Sequence, residues 1–161
     1  MMSRTNLLYS MLCSYVLLLV YLYQFYQQNP SVSHLLGNHK MVLLVWLLVM
    51  GACTIGYERI RKDPITAYCF TALFVGLLGV VCIQESRLHY VCATLVFLSI
   101  MGFMVQSYRR FRSEALVWFM ILQLFSIPFL FFPSSFFVAE LVFILLFAIG
   151  YIYVHRCEPI V

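Results

Sequence analysis

The stretch "QESRLHYVCA" at 84–93 gathers Glu85, Arg87 and His89 between two long apolar runs. On a helix beginning near residue 85, Glu85 and His89 lie one turn apart on the same face. A carboxylate and an imidazole at that spacing can share a proton or orient a water for general acid–base work. Glu140 is a third candidate. It sits about five residues into a later apolar run, roughly 7 Å deep on a helix, and its three- and four-residue neighbours are Phe136, Phe137, Phe143 and Ile144. An acid within such a run is by default a candidate functional group, because a lone carboxylate in hydrocarbon is costly. Arg87 and His89 are its nearest prospective partners by depth.

The same residues have a structural reading, which is the expected one: two loop residues in water, and one acid paired with Arg87 to hold helices in register. The competing reading makes His89, with Glu85 or Glu140, an acid–base set acting on a lipid headgroup or a proton. No Cys-x-x-Cys or His-x-x-x-His pair suggests a metal. There is no Gly-rich phosphate loop, Gly-x-Ser-x-Gly elbow or His-Glu-x-x-His. Neither Lys40 nor Lys62 lies within an apolar run, so a retinal Schiff base is not expected. No cofactor is implied, and nucleic acid is not an expected partner.

The elements that must carry these residues follow from composition. Of 161 residues, 64% are hydrophobic and only 10% are Asp, Glu, Lys or Arg. A water-soluble domain carries roughly 25% charged residues. A membrane helix needs about 20 mostly apolar residues, and six stretches qualify: 7–26, 41–57, 65–83, 88–107, 115–133 and 135–154. The runs lack the two-residue alternation of barrel strands. The expectation is an all-α, polytopic membrane bundle of six transmembrane helices in a single domain over 1–161. The first run is too long for a cleavable signal and lacks a small-x-small cleavage site, so it reads as a retained helix.

Lysine and arginine set the direction. Arg4, Arg59, Arg61, Lys62, Arg109, Arg110, Arg112 and Arg156 fall on one side of such a six-fold threading, against Lys40 and Arg87 on the other. Both termini are therefore expected in the cytoplasm, with Glu85, Arg87 and His89 on the lumenal or extracellular face. The loops "YERIRKD" (57–63) and "YRRFRSE" (108–114) share a Tyr, spaced Arg and a following acid. Orientation signals favour that composition in any such loop. Arg59, Arg61, Lys62, Arg109, Arg110 and Arg112 are candidates for contact with anionic lipid headgroups. Glu58, beside Arg59, reads as an acid at the cytoplasmic edge.

Within the runs, Gln123 can bridge helices. Gly51, Ala52 and Gly56, with Ala72 and Gly76, offer small surfaces for close contact. Pro128 should kink the fifth helix near its outer end. Cys13, Cys53, Cys69, Cys82 and Cys92 read as small hydrophobes rather than disulfide partners. Cys157, just past the last run, is a candidate for palmitoylation.

The third and fourth runs, "FVGLLGVVCIQESRLHYVCATLVFLSIMGFMVQSYRR", resemble the DRAM/FRAG-type superfamily of small six-span membrane proteins. Gln84, His89, Ala93 and Phe97 match its polar third loop and the opening of its fourth helix, and "PSVSHLLG" at 30–37 resembles its first-loop Pro-x-Ile-Ser stretch. The chain departs from that pattern at Cys92, where Gly is common, and in a first loop without acidic residues after the Ser. The resemblance implies six spans with both ends cytoplasmic; its members include autophagy modulators, GPI-lipid-remodelling proteins and bacterial relatives. The expected role is non-enzymatic, through membrane lipids or a membrane-protein partner. The alternatives are a lipid-modifying or lipid-moving protein using the outer His/Glu cluster, and an accessory subunit of a larger membrane complex.

Overall fold

The computed structural model describes residues 4–25, 40–60, 63–83, 87–131 and 136–157. All regular structure among them is helical: α1 (Arg4–Phe25), α2 (Lys40–Ile60), α3 (Pro64–Cys82), α4 (Arg87–Phe111), α5 (Glu114–Ser126), a 3₁₀ turn (Ile127–Phe131) and α6 (Phe136–Cys157). The helices fall where the apolar runs do. Among the described residues, three stretches are long and apolar enough to cross a membrane: Pro64–Cys82, Arg87–Phe111 and Phe137–Arg156. Tyr9–Leu18 and Glu114–Phe129 are shorter apolar stretches. These features fit an integral membrane protein.

Local chemistry explains the boundaries. Asp63 caps α3: its Oδ1 accepts from the Thr66 backbone N–H at 3.2 Å and its Oδ2 from the Thr66 hydroxyl at 2.9 Å. Pro64 at the first helical position loses no hydrogen bond, since that N–H has no intrahelical partner anyway. At the other end of the long α4, Arg112 takes a positive φ of 52°, a conformation that closes a helix, and its N–H reaches the Tyr108 carbonyl at 2.8 Å. At Pro128, where a kink in the fifth helix was expected, the α-helix itself has already ended at Ser126. Pro128 cannot donate to the carbonyl four residues back, and α5 gives way to the 3₁₀ turn that contains it.

The α3–α4 pair is the most extensive helix contact. A Cβ built on Gly76 would stand 2.9 Å from Val96 Cγ2 and 3.0 Å from the Cys92 carbonyl oxygen. Here the backbones themselves approach, and only glycine fits. Gly79 likewise abuts the Cys92 side chain. Two other small residues do not have the role their size suggested. Gly56 has open space beside it and Ala52 is exposed.

The core is built largely of aromatic rings. Phe70, Phe103, Phe147 and Tyr151 pack with centroids 5.2 to 6.2 Å apart, a range suited to edge and tilted ring contacts. In hydrocarbon, apolar burial drives little association, so packing and satisfied polar groups must hold helices together. Hydroxyls meet that need within their own helices: Thr71 donates to Ala67 O, Thr94 to Tyr90 O and Ser99 to Leu95 O, at 2.6 to 2.8 Å. Gln123 does not bridge helices as expected. It is fully buried, and neither amide atom has a hydrogen-bond partner among the described residues.

Candidate functional site

The candidates at 84–93 are only partly described. Glu85 lies outside the described residues. Arg87 is exposed at the first residue of α4 and His89 is half-buried. The His89 ring uses Nδ1 to reach the Ile83 carbonyl oxygen at 2.8 Å. A carbonyl only accepts, so Nδ1 carries the proton. Ile83 is the residue that ends α3, and its own N–H bonds Gly79 O at 2.9 Å. His89 thus ties the start of α4 to the end of α3, with one of its two nitrogens committed. Glu140 is half-buried in the second turn of α6, above the buried Phe137 and Phe143. No ion pair between Arg87 and Glu140 is seen among the described residues.

Among the described residues, the densest group of ionisable side chains lies at the opposite end of the bundle. α2 continues past the apolar run to Ile60, which keeps Glu58 on its buried stripe with Leu43, Leu47, Met50, Thr54 and Tyr57. Glu58 is therefore not an edge acid in water but 0% exposed. α6 presents Tyr151 and His155 one turn apart on the stripe that also holds Phe143 and Phe147. The Tyr151 hydroxyl donates to Glu58 Oε1 at 3.1 Å. His155 Nε2 stands 3.5 Å from the same oxygen, with the His155 side chain 1% exposed. The other ring nitrogen, Nδ1, meets the Tyr57 hydroxyl at 3.1 Å.

The imidazole is fixed by stacking as well as by polar contacts. Its centroid is 4.2 Å from that of Tyr151 and 4.9 Å from that of Tyr57, both edge-on. Tyr57, His155, Glu58 and Tyr151 thus form one buried cluster joining α2 to α6, hydrogen-bonded at both ends, with a 3.5 Å approach rather than a hydrogen bond between His155 Nε2 and Glu58 Oε1. Such a cluster can hold a proton within the bundle. It brings no Ser or Cys nucleophile and, among the described residues, no group of three or more metal-type ligands occurs.

The surrounding turns close on the same end. Asp63 Oδ2 meets Arg110 Nη1 at 3.4 Å, linking the α2–α3 connection to the last turn of α4. The Ser113 hydroxyl meets the Tyr153 hydroxyl at 2.6 Å, tying the α4–α5 connection to α6. Of the candidate headgroup residues, Arg59, Arg109, Arg110 and Arg112 are exposed around this end, whereas Arg61 and Lys62 lie outside the described residues. Cys157 is the last residue of α6. The other five cysteines are free thiols, with Cys13 and Cys82 exposed on their helices.

Sequence reasoning missed His155 and misjudged Glu58. The signal was the stripe itself: 43, 47, 50, 54 and 58 on one helix, and 143, 147, 151 and 155 on the other, follow a three- or four-residue step. Compared with family models, with curated proteins and with solved structures, the chain finds no match.

Proposed function

We propose that the chain is a six-span integral membrane protein with both ends in the cytoplasm, working through lipid and helix-partner contacts rather than by catalysis. The observation that carries this reading is the inversion of polarity across the helices. Val45, Leu98, Trp118, Phe125 and Ile149 point outward, while Thr54, Glu58, Ser99, Ser107 and Gln123 point inward. Such an exterior suits hydrocarbon. The exposed arginines gathered at one end support the orientation, since that end is the one expected to be retained in the cytoplasm. The resemblance to the DRAM/FRAG-type superfamily fits the same topology.

The buried Tyr57–His155–Glu58–Tyr151 cluster serves in this reading as a lock between α2 and α6. His89, committed through Nδ1 to the end of α3, serves as a second fastening at the other end. Two experiments test the proposal. Single cysteines placed at 87 and 110 in a cysteine-free chain should differ, with 87 reacting with an impermeant thiol reagent in intact cells and 110 reacting only after permeabilisation. Both reacting alike would sink the topology. His89→Ala and Glu140→Gln should leave the cellular lipid profile unchanged at equal protein level. Loss of a lipid product in either variant would instead establish the lipid-modifying alternative.

A further inference from the structure

In the sequence, the basic connections "YERIRKD" and "YRRFRSE" mix arginine with acid. Folding separates the two signs. Glu58 turns inward and is 0% exposed, where Tyr151 and His155 meet it. The Asp63 side chain is only 10% exposed, held by Thr66 and Arg110. Among the described residues, Glu114 is the one acid left exposed at this end. The arginines stay outside: Arg59, Arg109, Arg110, Arg112 and Arg156 are all exposed. Arg110 has Asp63 as its counter-charge. Arg59, Arg109, Arg112 and Arg156 make no ion pair among the described residues.

The contacts between helices gather these arginines. Arg59 and Arg156 directly follow Glu58 and His155, which approach each other. Arg112 precedes Ser113, whose hydroxyl meets Tyr153 one turn before Arg156. Arg59, Arg109 and Arg156 lie in the last turns of α2, α4 and α6, where the apolar stretches of α4 and α6 end. Like charges held together repel one another, and here the protein's own acids are mostly turned away. From this separation of charge we infer that this end of the bundle docks anionic phospholipid, whose phosphate oxygens take the guanidinium groups of Arg59, Arg109, Arg112 and Arg156. The planar arginine fork matches phosphate with two parallel hydrogen bonds. Lipid is favoured over an acidic protein because the arginines stand at the ends of membrane-length helices, at headgroup depth. The inference rests on the membrane reading above and names the class of lipid involved.

Electron spin resonance tests it, on the full chain reconstituted in phosphatidylcholine bilayers with trace spin-labelled phosphatidylglycerol or, separately, phosphatidylcholine. Lipid held at the protein surface gives a motionally restricted signal. Phosphatidylglycerol is expected to be favoured, and the preference should fade in about 1 M salt, where the screening length is about 3 Å. Arg109→Gln with Arg112→Gln should lower the preference at least about two-fold, since each basic residue near an anionic surface contributes up to about five-fold. Lys40→Gln with Arg87→Gln, exposed at the other end, should leave it unchanged. Equal association of the two lipids overturns the inference, as does a preference that survives the Arg109 and Arg112 changes. Capture of soluble polyglutamate without any lipid preference would assign the face to an acidic protein instead. A restricted signal from neither lipid would fault the membrane reading.

Discussion

At the scale of single residues, Glu58 shows how a helix boundary decides chemistry. Beside Arg59, an acid at the edge of an apolar run is naturally assigned to water. Extending α2 by one turn puts the same carboxylate opposite Tyr151 and His155, where it is wholly enclosed. The Tyr151–Glu58 hydrogen bond is expected to be worth on the order of 1 kcal/mol, as interhelical polar contacts in membranes usually are. Combining Tyr151→Phe with Glu58→Gln should therefore destabilise by less than the two single changes together, by about that amount, measured as unfolding in mixed micelles. Additive effects would show that the hydroxyl and the carboxylate do not act on each other. Asp63 offers a contrast. Asp63→Ala removes a helix cap and should cost about 1 kcal/mol. Arg110→Ala removes an ion pair in which the arginine is 44% exposed and a cation–π contact with Phe111 at 5.5 Å, each worth about 1 kcal/mol or less at such exposure.

At the scale of elements, most of the fold was legible. The six apolar runs became helices at nearly the expected places because run length and turn residues carry that information directly. Pro128 announced the change in α5 through its missing N–H. What a single sequence does not carry is which face of each helix meets which neighbour. Gly51, Ala52, Gly56 and Gly76 look alike as small residues, yet only Gly76 lies against another helix's backbone, and Gly56 faces open space. Gly76→Ala should lower the unfolding temperature through overpacking worth roughly 1–3 kcal/mol. Gly56→Ala should be neutral or mildly stabilising, since alanine is the better helix former. Equal losses at the two sites would contradict the close approach of α3 and α4. His155 was hidden for the same reason: its meaning depends on a partner 97 positions earlier.

At the scale of the whole molecule, the polar fastenings concentrate where the ends of α2, α4 and α6 meet. Glu58, Asp63, Arg110, Ser113, Tyr153 and His155 all make their contacts there, and the Pro128 turn lies at the far end of α5. At the opposite end, the His89 to Ile83 contact joins the consecutive helices α3 and α4.

The span between Glu58 and its partners at 151 and 155 also has a consequence for biosynthesis. The ribosome releases α2 long before α6, so for most of translation Glu58 lacks both contacts that α6 will provide. A nascent chain halted at Gly150 carries a carboxylate that its own remaining helices leave short of Tyr151 and His155. Pulse–chase of such a truncated chain should show faster turnover than the full-length protein, with Glu58→Leu restoring much of the lost lifetime. Equal half-lives would mean that the cell's quality control does not register the unfinished contact.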